Sequence, residues 1–170
     1  MPTARPTVHA ETATRRRAPA APDAIKMLKD DHAEVKKLLG QYDKLAKADA
    51  ASSERETLAL TICDMLIVHA TLEEELFYPA AREALGEHDD LVDEAAVEHA
   101  SAKDLIAQIQ SSDPNDDLYD AKVKVLGEYI AHHVKEEQDE LFPKVKPKLD
   151  TKALGAEMLQ RKKELMAKPH

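Results

Sequence analysis

Four apolar stripes, each interrupted by one histidine, constrain this chain more than any other feature of its sequence. From Asp23 onward apolar residues recur every three or four places, the period of helices that press one face against a core. The first stripe is Ile25, Leu28, His32, Val35, Leu39 and Tyr42, with Asp23 as its N-cap. The second opens at a capping box from Ser53 to Glu56 and shows Leu58, Ile62, Met65 or Leu66, His69, Glu73 and Leu76. It runs to about Pro79, with a short continuation from Ala80 to Leu85 closed by Gly86. The third is Val92, Ala95, His99, Ala102, Ile106 and Ile109, ending before Ser111. The fourth is expected to open at Asp113-Pro114, an N-cap followed by an N1 proline, and shows Val123, Leu126, Ile130, His133, Glu137 and Leu141. A weaker fifth helix, capped near Asp150, carries Leu154, Met158, Leu159 and Leu165. The short links between the four main stripes predict an all-α fold: an up-down-up-down four-helix bundle with a short fifth C-terminal helix.

The four histidines share one height. His32 lies nine residues after Asp23, His69 ten before Pro79, His99 ten after Asp89 and His133 ten before Pro143. In an up-down bundle those four reference points lie at one end. At 1.5 Å per residue every imidazole then sits about 14 Å from that end. A lone histidine on an apolar face is usually a hydrogen-bonded core residue, but one per helix on a single level is a constellation.

Glu73 and Glu137 decide what the constellation is for. A carboxylate buried alone costs several kcal/mol or takes up a proton, and no Lys or Arg falls inside the stripes to pair with it. Protonated imidazoles could pair with the acids, yet six ionisable groups on one level are costly without excellent geometry. A divalent cation resolves this more economically. The spacing His69 to Glu73, repeated in His133 to Glu137, puts each pair on one helix face aimed at a common centre. Four nitrogens and two carboxylates are too many for one tetrahedral zinc, and no thiolate is present. Two metals bridged by the two carboxylates fit better, with His32 and His69 on one ion and His99 and His133 on the other. Mixed imidazole and carboxylate donors suit iron, with manganese second. His132 to Glu136 has the same spacing, but His133 continues the Leu126, Ile130 stripe, and the ten-residue interval to Pro143 matches that from His69 to Pro79. His132, Glu74 and Glu136 are left as outer supports or solvated surface. His9, His88 and His170 fall in the arm, a turn and the tail.

Composition narrows the classes of function. Four Gly, no Trp and a predominance of helix formers agree with the helical reading, and 43% hydrophobic content over 170 residues is enough for one core. A formal charge of −9 argues against nucleic acid as a partner. Single Cys63 cannot form an internal disulfide, and no apolar run reaches the roughly 18 residues of a membrane span, so the cytoplasm is the simplest address. Residues 1–22 hold four of the nine prolines and the run Arg15-Arg16-Arg17, which reads as a flexible arm, with an organelle transit peptide as the alternative. The expected organisation is therefore an arm over 1–22, the bundle over 23–148, and a C-terminal helix and tail over 149–170.

The stretches "LKDDHAEV", "HATLEEELFYP", "EHASAKDLI" and "HHVKEEQDELFP" resemble the hemerythrin-like, or HHE cation-binding, family across roughly Asp23 to Lys148. The segment "LDTKALGAEMLQRKKEL" also resembles the final part of bacterial members. The resemblance implies a four-helix bundle around a non-heme di-iron centre, its two irons joined by an oxo or hydroxo bridge, that meets oxygen or related small molecules. It also carries a departure. Oxygen carriers of the family have five histidines, two of them four apart on the third helix, whereas the places four before and after His99 are Ala95 and Lys103. They also place an Asp five residues after the fourth-helix histidine, where this chain has Glu137 at four. The set carried over is His32, His69, Glu73, His99, His133 and Glu137, which leaves more metal positions open and puts reversible oxygen carriage in doubt. Two readings follow: a protein that binds oxygen, nitric oxide or peroxide in sensing or stress, and an enzyme that decomposes peroxide or oxidises ferrous iron, with Tyr129 as a nearby redox residue. Iron storage ranks last.

Overall fold

The computed structural model describes residues 22–168. The arm expected over 1–22, with His9, and the terminal His170 lie outside the described residues, apart from Pro22. The chain order is α1 (Ala24–Lys47), α2 (Ser52–Leu72), a π-helical turn (Glu73–Phe77), α3 (Tyr78–Leu85), α4 (Asp90–Ser111), α5 (Tyr119–Glu136), a second π-helical turn (Glu137–Leu141), α6 (Phe142–Val145), a 3₁₀ turn (Lys146–Lys148) and α7 (Thr151–Ala167). With α2 running through its π turn into α3, and α5 into α6, this is the expected all-α bundle of four long helices plus a fifth at the C-terminal end. Among the described residues no helix is long and apolar enough to cross a membrane.

The caps show where the local signals hold. Asp23 accepts from the Lys26 amide, Asp89 from Leu91 and Asp150 from Ala153, so α1, α4 and α7 begin at side-chain caps. Gly86 closes α3 at φ 116, a backbone state that side chains disfavour. Two expected starts are corrected. The Ser53 to Glu56 capping box does not form, because α2 already begins at Ser52 after Ala51, which places Ser53 inside the first turn. The fourth long helix begins at Tyr119, not at Asp113-Pro114. Asp113 spends its carboxylate on the Asn115 backbone and side-chain amides, and its carbonyl accepts from Asp116, which ties residues 113–116 into a turn.

The bundle core is split by its polar layer. Above it Leu28, Leu72, Phe77, Val92, Leu141, Phe142 and Met158 pack in one apolar block, and below it Val35, Ile62, Leu66, Ile106, Tyr119 and Leu126 form the other. Each histidine occupies the break between blocks in its own stripe, as His32 does between Leu28 and Val35. α7 belongs to the upper block, since buried Leu154 and Met158 meet α1 and α2 there.

Candidate metal centre

The π turns explain why both stretches share a proline ten residues after the histidine. Pro79 and Pro143 have no amide hydrogen to return to the carbonyl four residues back. The ladder instead widens one residue earlier: the Tyr78 amide donates to the Glu73 carbonyl and the Phe142 amide to the Glu137 carbonyl, each five residues back. Each widened turn opens at a glutamate of the site and rotates the following residues by one place. Tyr78 and Phe142 are thereby stacked over Glu73 and Glu137, toward the bundle axis.

All six residues singled out from the sequence meet there. His32, His69, His99 and His133 are 5 to 7% exposed, Glu73 is 0% and Glu137 2% exposed. The Nε2 atoms pair off, His32 with His69 and His99 with His133, each at 3.2 Å. Glu73 Oε1 lies 2.6 Å from His69 Nε2 and 3.6 Å from His99 Nε2, and Glu137 Oε2 lies 3.6 Å from His32 Nε2 while its Oε1 touches His133 Nε2. The donors thus form two tetrads, His32, His69, Glu73, Glu137 and Glu73, His99, His133, Glu137, and both carboxylates belong to both. His132, by contrast, faces outward on the next strip of α5, with a side chain 66% exposed.

The outer ring nitrogens are all held. His32 Nδ1 meets Gln138 Oε1 at 2.9 Å, His69 Nδ1 meets Asp31 Oδ2 at 3.0 Å, His99 Nδ1 meets Glu74 Oε1 at 3.3 Å and His133 Nδ1 meets Glu98 Oε2 at 2.5 Å. With each Nδ1 placed to donate outward, each Nε2 faces the centre, the arrangement a ligand needs once that nitrogen is unprotonated. Asp31 and Glu74 are in turn held by Lys162 of α7 and Lys103 of α4. Of these supports only Glu74 was foreseen in the sequence. Asp31 sits beside His32 in the "DDH" run yet serves His69 across the helix pair, a contact that no spacing along one helix announces.

Tyr78 completes one half. Its hydroxyl donates to Glu137 Oε1 at 2.7 Å and lies 3.1 Å from His99 Nε2 and 3.3 Å from His133 Nε2. Phe142 takes the equivalent place in the other half, its ring stacked on His32 at 5.9 Å between centroids with 4° between planes. Tyr129, the tyrosine picked out from the sequence, is 48% exposed and lines a small cavity that the four histidines also border.

Electrostatically the metal-free cluster is a strained truce. Burial and the His69 charge push His32 down to about 4. Burial also works to lower His69 and His133, but Glu73 with Asp31 outweighs it at His69, and Glu137 with Glu73 outweighs it at His133, which pushes them up to about 10 and about 9. Burial and the charge of Glu73 lift Glu137 to about 7, whereas His69 holds Glu73 well below the usual carboxylate range against the cost of burial. Burial and the two carboxylate charges hold Tyr78 well above the ordinary phenol range.

Whether these residues fit a cation can be tested on the carboxylates. Both oxygens of Glu73 and Oε2 of Glu137 accept no hydrogen bond from the protein. The 2.6 Å from Glu73 Oε1 to His69 Nε2 is short enough for one but lacks its direction. Atoms that crowd each other without pointing at each other share a common target. Buried oxygens without donors need positive charge, and the set of four imidazoles and two carboxylates fits a pair of divalent ions.

A helical bundle with a buried imidazole and carboxylate cluster between its long helices defines a cation-binding class. The chain belongs to the hemerythrin family: the model of the hemerythrin HHE cation binding domain matches residues 23–145. A crystal structure of a hemerythrin HHE cation binding domain-containing protein from Mycobacterium kansasii shares the fold, with a TM-score of 0.69 and 21% identity over 85% of this chain and 87% of that one. A curated relative described as a DNA nickase, from Nostoc sp. (strain PCC 7120 / SAG 25.82 / UTEX 2576), is 31% identical over 86 residues. That match takes in 51% of this chain and 24% of the relative, so the chain spans about a quarter of that protein's length.

Proposed function

We propose that the buried cluster is a non-heme di-iron centre, with manganese as the second metal of choice, that binds or reacts with oxygen, nitric oxide or peroxide in a sensing or stress-related role. The observation that carries this reading is that Glu73 and Glu137 each belong to both tetrads while three of their four oxygens lack a hydrogen bond. Bound there, two irons would supply redox-active positions open to a small ligand. The chain's own residues do the rest. Gln138, Asp31, Glu74 and Glu98 fix the ring orientations. A cavity of about 30 Å³ beneath the layer, bounded by Val35, Leu66, Ala102, Ile106 and Ile130, has room for a diatomic molecule. The His32 and His69 half faces Phe142 where the other half has Tyr78, so it holds one polar protein group fewer and is the end at which an outside ligand would bind. The nicking activity of the longer relative stays with that protein, since a charge of −9 has the wrong sign for a phosphate backbone.

Anaerobic loading with ferrous iron tests the proposal. Two irons per chain and a visible band that comes with oxygen and leaves on degassing support the binding role; fewer than one iron per chain sinks it. Peroxide decomposition is the second reading, favoured by Tyr78, whose hydroxyl oxygen lies within the centre, 2.7 Å from Glu137 Oε1. Oxygen evolution far above one turnover per iron would establish it. Tyr78→Phe is then expected to keep two irons and lower that turnover by roughly 10²-fold, the low end for a positioned proton donor.

Loading should also release protons. His69 and His133, pushed up to about 10 and about 9, hold protons at pH 7 in the metal-free protein and must give them up as ligands. Calorimetry in buffers of different ionisation enthalpy should count between two and three protons per chain, the fraction coming from Glu137, which is lifted to about 7. The same shifts set the pH response without metal. Both folded values lie above the ordinary histidine value, so their stabilisation is complete below about pH 6.5 and is lost as pH rises through 9 to 10. A metal-free melting temperature that climbs between pH 7 and 9 would contradict this.

A further inference from the structure

Between α1 and α5 the bundle leaves an open groove of about 830 Å³, the size of a small-molecule site. It follows α1 from Lys29 to Ala46 and α5 from Asp120 into the π turn at Gln138, a run of about 25 Å at the helical rise. Its floor is aliphatic, with Leu39, Val123, Gly127 and Ile130 between the two helices. Gly127 sets the depth. A Cβ added there would meet only the Leu39 side chain, at 3.4 Å, so the missing side chain leaves the floor open. Besides His32 the one ring in the lining is Tyr42, which is 3% exposed and has its hydroxyl spent on Asp120. A planar ligand finds little to stack on, whereas an unbranched alkyl chain matches the shape.

The charges along the groove are lopsided. Of its acids, Asp43 is paired with Lys47 and Asp120 with Arg55, and of its lysines Lys135 is paired with Asp139. Among the described residues Lys29, Lys36 and Lys124 form no ion pair, against Glu128 alone on the acidic side. A chain with a formal charge of −9 thus keeps one groove net positive. Lys29 and Lys36 stand on one strip of α1, either side of Ala33, at the end where the groove meets the metal layer. There Gln138 turns Oε1 to His32 Nδ1 at 2.9 Å, and its Nε2 donates to no acceptor among the described residues. Two cations and an unspent amide donor at one end of an aliphatic trough suit a carboxylate head with an alkyl tail.

We propose that this groove binds a free long-chain fatty acid, its carboxylate between Lys29, Lys36 and Gln138 and its tail along Leu39 and Gly127 toward Tyr42. A sixteen-carbon chain, with bonds of about 1.5 Å, fits the groove's length even when fully extended. The proposal does not depend on which ion fills the buried centre. Gln138 nevertheless joins the two sites, because a carboxylate that accepts from its Nε2 steadies the oxygen that orients His32.

Titration of the full chain with cis-parinaric acid, a fluorescent fatty acid, followed by displacement with hexadecanoate, tests this. One saturable site per chain is expected. Hexadecanol, which has the tail without the charge, should displace the probe roughly fivefold less well, the size of two half-exposed ion pairs. The double variant Lys29→Gln, Lys36→Gln should weaken hexadecanoate by the same factor and leave hexadecanol unchanged. Octanoate should bind roughly a hundredfold more weakly, about twofold for each half-covered methylene lost. Gly127→Leu lays a side chain across the floor and should abolish binding, while a melting temperature held or raised by its better helix propensity reports an intact fold. The absence of a saturable site, equal displacement by hexadecanol and hexadecanoate, or undiminished binding in Gly127→Leu overturns the proposal. So does a wild-type dimer that Gly127→Leu converts to a monomer, because the groove would then belong to a second copy of the chain.

Discussion

Glu73→Gln will empty the centre of metal and, above about pH 10, leave the metal-free protein about as stable as the wild type. The substitution keeps the shape of a side chain that is 0% exposed and removes a charge without a hydrogen bond on either oxygen. If Glu73 were structural, its loss would cost the several kcal/mol expected when one partner of a buried ion pair is removed. A carboxylate placed for metal behaves differently. Above about pH 10 the partner His69 has shed its proton and keeps Asp31 at 3.0 Å, so little is left uncompensated. The metal-free change should stay within about 1 kcal/mol. The metal-loaded change is large. A ligand at 1,000 times its dissociation constant stabilises the fold by about 4 kcal/mol, which raises the melting temperature by about 10 °C in a domain of this size. That rise, together with both ions, should vanish in the variant. A variant that still carries two irons, or whose metal-free form loses several kcal/mol, would show that the two unpaired oxygens have another purpose.

What the sequence reveals about this molecule is governed by how far each contact depends on one helix alone. The stripes are legible because burial on one face imposes the 3.6-residue period, and His133 is separable from His132 by that period: the first is 5% exposed, while the second has a side chain 66% exposed. The depth of the layer follows from rise per residue. Local chemistry that competes with helix formation is less legible. Asp113 and Pro114 carry the composition of a helix start, yet the Asp113 carboxylate is satisfied within a turn by Asn115. Ser53 and Glu56 match a capping box, but α2 starts a residue earlier. Tyr78 is hidden for a sharper reason. On an unbroken α-helix it would leave the stripe of His69 and Glu73, and only the extra residue of the π turn carries its hydroxyl to 2.7 Å from Glu137. The ten-residue interval to proline was visible; the widening it causes needs the ladder of backbone bonds to be drawn. The supports Asp31, Glu98 and Gln138 cross between helices, and single-helix spacing does not encode them.

The C-terminal helix makes the last case, because there the usual rule for a substitution should reverse sign. Gly155 lies inside α7, where replacing glycine by alanine ordinarily gains about 1 kcal/mol of helix propensity. Here a Cβ would fall 1.8 Å from the Pro22 carbonyl oxygen and 2.8 Å from the Ala24 nitrogen, backbone atoms at the start of α1 that cannot rotate aside. Gly155→Ala must therefore push α7 off α1 or distort the entry to the bundle, at a cost of roughly 2 to 3 kcal/mol. The displacement would reach the metal layer. α7 is fastened by Thr151 to Asp23, by the forked pair of Arg161 with Glu75 at 2.6 and 3.0 Å, and by Lys162 to Asp31 at 2.7 Å. Asp31 orients His69 through its other oxygen. Lifting α7 leaves Asp31 without its cation and loosens the His32 and His69 half first, while Glu74, held by Lys103 of α4, keeps the other half in place. Gly155→Ala should accordingly lower the melting temperature by several degrees and weaken one bound iron more than the other, as read by iron release to a chelator in two phases. Lys162→Met, which leaves the helix docked, should reproduce the uneven release with little thermal loss. A more stable Gly155→Ala protein with both irons released together would mean that α7 does not sit against Pro22 and has no hold on the centre.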